Sequence, residues 1–167
     1  LFTLRGTPFV YEGEEIGMTN TAFPKIEDYN DISTHGQYEY AIKEGLSPEE
    51  ALKAVQFQSR DNARTPMQWT RETNAGFTTG KPWLPVHKDF PHCCGEAERE
   101  DGTSVLSYYR QMNRERTEGK ASAILLQGSY EELLHEDEHV YAFKRVLGEH
   151  AAYTVVNFTN DTVTYDS

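Results

Sequence analysis

Hydrophobic and polar positions follow three different rhythms along the chain. Near the start, TPFVY (residues 7–11) is a short apolar, β-rich run and reads as a buried strand, after a possible helix tail at 1–4 that ends near Gly6 and Pro8. Between 33 and 58 the rhythm turns helical. One helix is expected over about 33–43, broken at Gly45. A second is signalled more strongly: Ser47 can cap it, Pro48 suits its first turn, and Glu50 completes a capping box. Its apolar positions Ala51, Ala54 and Val55, with Gln58, recur at helical spacing, and it should end close to Asp61. A further helix is predicted over 104–117, capped by Ser104, with Val105, Leu106, Tyr109, Met112 and Asn113 as its buried stripe. Arg110, Arg114 and Arg116 load its last half, where cations suit the helix dipole.

After Gly119 the period changes to two. Val140, Ala142 and Lys144 oppose Tyr141, Phe143 and Arg145, and GEH and TND punctuate the pattern as turns. An antiparallel sheet is therefore expected from about residue 123, with the charged HEDEH run (135–139) as a turn. The segments 19–32 and 70–103 are rich in turn residues. A loop as long as the second is usually functional or mobile, and its stretch NAGFTTGKPWLP suits a loop draped over a pocket rim. The layout is an α/β layer followed by an all-β module.

Composition narrows the function classes. A net charge of −11 over 167 residues argues against a nucleic-acid binder, and no apolar run approaches membrane-spanning length. Nothing resembles a signal peptide. The only cysteines are the neighbours Cys93 and Cys94, which make no disulfide framework; a reducing, cytoplasmic setting is the simpler reading. His87, His92 and the two cysteines fit no common zinc spacing, and no metal or cofactor is expected. The ten Tyr, eight Phe and two Trp leave two readings open, a core or a surface that stacks on a ligand. Glu12, Glu14 and Glu15 follow the first apolar run, where α/β folds place active-site loops. Structural hydrogen bonding within the loop is the more common role for such groups.

Three stretches then stand out in order: GTPFVYEGEEIGMTN, SRDNARTPMQW and NAGFTTGKPWLPV. Together they resemble the α-glucosidase branch of the α-amylase superfamily, glycoside hydrolase family 13, across nearly the whole chain. The resemblance implies the C-terminal part of a (β/α)8 barrel followed by the start of an antiparallel β-sandwich domain. Residues 1–121 would end the barrel, with 7–11 as its last strand and 104–117 as its last helix; 122–167 would open the sandwich. It also implies retaining hydrolysis by paired carboxylates. The family carries these in segments that would precede Leu1, and a barrel takes about 200 residues or more. The chain is thus expected to be a C-terminal fragment, without the catalytic carboxylates and inactive alone, whose partner is the missing N-terminal barrel of its own parent.

By the same resemblance, Arg64 of the ARTP motif would reach the pocket for the terminal glucose and pair there with an aspartate from an early barrel loop. Asp61 is a weaker substrate-binding candidate, and with Arg60 it could instead brace the loop by a local ion pair. Pro66 would fix the turn and Trp69 would anchor it by burial. The family's usual Glu toward the leaving-group side is Ser33 here, and a common Asn is Gly36, which touches fine specificity. An oligosaccharide substrate is implied for the parent as an oligo-1,6-glucosidase-like enzyme. Trehalose-6-phosphate hydrolase, sucrose isomerase and a non-catalytic partner subunit are the alternatives.

Overall fold

The computed structural model describes residues 1–164, and they form two compact units. One comprises residues 10–108, the other residues 1–9 with those from 109 onward.

In the 10–108 unit, α1 (Ile32–Lys43) packs against α2 (Pro48–Gln56). Asp31 caps α1 by accepting from the Ser33 amide, and the chain leaves that helix through Gly45, whose φ of 97° suits glycine. The capping box of α2 is fully formed: Ser47 Oγ accepts from Glu50 N, and Glu50 accepts from Ser47 N at 2.9 Å. Ala51 and Val55 are buried and Leu52 packs on the core, whereas Ala54 and Gln58 face outward. The helix stops at Gln56, short of Asp61. The core gathers Phe23, Tyr29 and Leu84. Leu84 comes from the long loop, which is irregular except for a 3-10 turn at Thr73–Gly76 and a short helix α3 (Gly95–Glu100).

Two sequence expectations fail near the start. Residues 1–4 form turns, not a helix tail, and no strand forms over 7–11. Phe9 is 84% exposed there. A strand needs a ladder partner for its backbone groups. The one sheet among the described residues lies far along the chain, so apolar character alone makes no strand. Helix α4 (Val105–Thr117) begins as expected, with Ser104 Oγ accepting from Ser107 N at 3.1 Å. Its predicted stripe is not buried: Val105 and Asn113 are exposed, and Leu106, Tyr109 and Met112 are half-buried. The buried residue of α4 is Arg116. An apolar stripe is buried only if something covers it, and among the described residues little does.

In the other unit, α5 (Ser122–Gln127) occupies the place where the sheet was expected to start, and it buries Leu125. The sheet follows as β1 (Ser129–Leu133), β2 (Val140–Leu147) and β3 (His150–Asn157), antiparallel in the order β1-β2-β3. Gly148 and Glu149 of GEH form the two-residue hairpin turn, Leu147 pairing with His150 across it and Gly148 taking a φ of 62°. HEDEH is the β1–β2 turn, where Asp137 accepts from the amides of His139 and Val140. The β2 alternation is real, but both faces of this central strand are covered. Val140 and Ala142 are buried on one face, Phe143 and Arg145 on the other.

Buried arginines organise this unit. Arg116 donates to the carbonyls of Phe2, Leu4 and Gly6. Arg145, fully buried, donates to Thr3, Gly128 and Ser129. Its pKa is lowered, first by burial and then by Arg116 and Arg5. The position of Arg116 in the last turn of α4 agrees with a dipole role, but its guanidinium is spent holding residues 2–6.

Candidate functional site

The segment 59–69 is a clamp built from side chains that the fold uses almost completely. Ser59 starts a 3-10 turn at Arg60–Ala63, its Oγ accepting from Asp61 N. Asp61 is fully buried. Its Oδ2 accepts from the amides of Asn30 (2.7 Å) and Asp31 (3.0 Å), and its Oδ1 accepts from Arg64 Nη2 at 2.5 Å. One residue earlier the pattern crosses over. Arg60 donates through Nε (3.0 Å) and Nη2 (2.5 Å) to Asp31 Oδ1. These bonds, ahead of the opposing effect of burial, hold the Asp31 carboxyl well below the usual range. Asn62 accepts from both the amide and the hydroxyl of Thr21, and donates to Gln56 O. Asp61 and Asn62 thus tie the start of α1 and the end of α2 to one turn.

Arg64 keeps unspent capacity facing a cleft. Only Nη2 is engaged among the described residues, and the guanidinium lies 5.3 Å from the centroid of the Trp83 ring. That contact places the guanidinium within cation–π range of the ring. Arg64 lines a cleft of about 340 Å³ with Tyr11, Glu12, Met18, Met67 and Phe77. A neighbouring cleft of about 300 Å³ shares Tyr11, Glu12 and Met18 and adds Glu14, Asn20 and Asn62. Tyr11 is held in this wall by donating to Ala63 O at 2.8 Å. Of the three acids, Glu14 accepts from Tyr11 N and Glu15 from Gly13 N, which closes their own turn. The long loop does reach the rim, through Phe77 and Trp83.

The second half of the segment holds backbone. Pro66, Met67 and Gln68 are buried; Gln68 donates to Cys93 O, and its own carbonyl accepts from Gly95 N at 2.8 Å. Trp69 accepts from Glu96 N and donates to Ala75 O through its peptide groups. Its indole is 41% exposed, so the anchor is the Trp69 backbone rather than a buried ring. Cys93 Sγ donates to Ile16 O, and burial, with Asp89 nearby, pushes its thiol up to about 11. Both cysteines are free. Among the described residues no three His, Cys, Asp or Glu converge as metal ligands.

Residues 1–128 match the family described as "Alpha amylase, catalytic domain". The chain belongs to the α-amylase family. Its relatives place it in the oligo-1,6-glucosidase branch of glycoside hydrolase family 13. It is 42% identical over 163 residues to an oligo-1,6-glucosidase of Parageobacillus thermoglucosidasius, covering 97% of this chain and 28% of that protein. Among solved structures it is similar to trehalose-6-phosphate hydrolase of Bacillus licheniformis, with a TM-score of 0.88 and 35% identity, covering 95% of this chain and 28% of that one. It is similar also to the isomaltulose synthase of Erwinia rhapontici NX5 that was crystallised with its natural substrate sucrose. There the TM-score is 0.85 and the identity 38%, covering 96% and 28% of the two chains. The chain therefore spans about 28% of the length of the relatives it matches.

Within this α-amylase-family chain, the structure brings Arg64 and Asp61 together and leaves Ser33 apart. Ser33 is exposed in the first turn of α1, accepting from Gln37, and lines neither cleft. Asp61 lies behind Arg64 as its support, fully covered by the turn. Sequence reasoning missed Trp83 and the Tyr11 hydroxyl. The aromatic-and-glycine pattern marked the right loop, but no local pattern says which ring meets a distant guanidinium.

Proposed function

We propose that the chain is the C-terminal portion of a retaining α-glucosidase of the oligo-1,6-glucosidase type, whose parent releases terminal α-linked glucose from short oligosaccharides. The observation that carries this reading is the half-used Arg64. Asp61 and Trp83 fix its plane, and its Nε and Nη1 donors remain for a sugar hydroxyl or a carboxylate. Such an arginine can close a pocket around one terminal sugar, which makes an enzyme exo-acting. The two carboxylates of the retaining reaction, about 5 Å apart in such enzymes, would come from segments outside this chain. In that parent, residues 7–11 would be the last strand of a (β/α)8 barrel and β1–β3 the opening of a β-sandwich. The supporting facts are the family match over 1–128 and the exposed apolar 7–11 run, which joins no sheet among the described residues. The partner of this chain would be the rest of its own barrel, and its setting cytoplasmic.

Assay of the parent on isomaltose, maltose, sucrose and trehalose 6-phosphate tests the proposal. Release of glucose from isomaltose is expected; silence on every α-glucoside would sink it and favour a non-catalytic binding subunit. Arg64→Lys should lower kcat/KM by about 10- to 100-fold, because an ammonium cannot hold Asp61 and a substrate group in one plane. The similarity to trehalose-6-phosphate hydrolase supports a second reading, a phosphoglucosidase, which the same assay separates.

A further inference from the structure

The charge of the Arg64 clefts is unbalanced. Three charged side chains line them: Arg64, Glu12 and Glu14. The guanidinium is already neutralised by Asp61 directly behind it. Glu14 is committed to the turn through Tyr11 N. Glu12 is different. It is exposed, it lines both clefts, and it makes no hydrogen bond or ion pair with another described residue. Among the described residues its carboxylate has no folding role, whereas Glu14 is used by its turn and Arg64 is held by Asp61 with Nε and Nη1 still open. No lysine or histidine lines either cleft.

We infer that Glu12 is a specificity-determining residue that makes this sugar cleft select neutral α-glucosides and reject phosphorylated ones. The inference rests on the glucosidase reading above and decides the substrate class within it. A phosphate carries nearly two negative charges. Entering a cleft beside an unpaired carboxylate, it sheds part of its hydration and meets repulsion, with the Arg64 charge already matched by Asp61. A neutral glucoside meets neither obstacle, and its hydroxyls can donate to Glu12. Discrimination of this kind works through a repulsive element placed against the wrong ligand.

The experiment uses the parent enzyme with p-nitrophenyl α-glucoside and its 6-phosphate at equal ionic strength. The wild type should show a kcat/KM at least about tenfold higher on the neutral compound. Glu12→Gln should narrow that ratio by about tenfold, and Glu12→Lys should narrow it further, in the order of charge. Raising the salt should narrow the wild-type ratio and leave that of Glu12→Gln less changed. Equal or better turnover of the 6-phosphate by the wild type overturns the inference, as does a ratio indifferent to the charge at position 12; both leave the glucosidase reading standing. Turnover of neither compound overturns the glucosidase reading and this inference with it.

Discussion

At the residue scale the site depends on two aspartate–arginine pairs whose partners are crossed. Asp31 takes Arg60 and Asp61 takes Arg64. The pairs differ in use. Arg60 is 69% exposed and serves to hold Asp31, while Arg64 faces a cleft with donors to spare. The Asp31 pair carries a pH signature. Its carboxyl is held below its ordinary value by Arg60, so its stabilisation is complete above the unfolded-state pKa of about 4 and is lost as pH falls through and below that value. Because Arg60 is solvent-exposed, screening keeps the contribution small. Asp31→Asn should lower the melting temperature at pH 7 and flatten its fall between about pH 5 and 2. Thermal melts across that range check it; parallel curves for the two proteins would refute the assignment.

At the element scale, short-range rules performed well where the partner lies within a few residues. The Ser47–Glu50 capping box is present atom for atom, and Ser47→Ala should cost about 1 kcal/mol in a denaturant titration. Hairpin chemistry at Gly148 and the Asp137 turn were equally local. The failures share one cause. TPFVY has strand composition and forms no strand; the 104–117 stripe has helical period and is largely uncovered; α5 replaced the first expected strand. In each case the outcome depends on what packs alongside, and periodicity does not contain that.

At the scale of the whole molecule, buried arginines do work usually done by apolar packing. Among the described residues, three carbonyls of residues 2–6 take their hydrogen bonds from Arg116. Arg116→Leu leaves them without donors and should destabilise the unit of residues 1–9 with those from 109 onward by about 3–5 kcal/mol, read as a lower urea midpoint. Exposed Phe9, Val10 and Tyr11, together with Tyr153, Val155 and Phe158 on the edge strand β3 and just past it, leave apolar surface uncovered. The isolated chain should therefore self-associate in a concentration-dependent way and show no glucosidase turnover. Sedimentation velocity giving a stable monomer at every concentration would count against the first point, and hydrolysis by a clean preparation against the second.

What the sequence determined by itself was whatever depends on near neighbours and on unusual composition. That covers the helix caps, the two tight turns, the family, and the segment 59–69 with Arg64 in it. Long-range packing settled which carboxylate meets which guanidinium, that Asp61 is support, that Trp83 lies against Arg64, and that among the described residues Glu12 alone of its three acids stays free. Caps and turns close over a few bonds, so local sequence contains both partners. Pairings across tens of residues form only when the chain has already brought distant elements together.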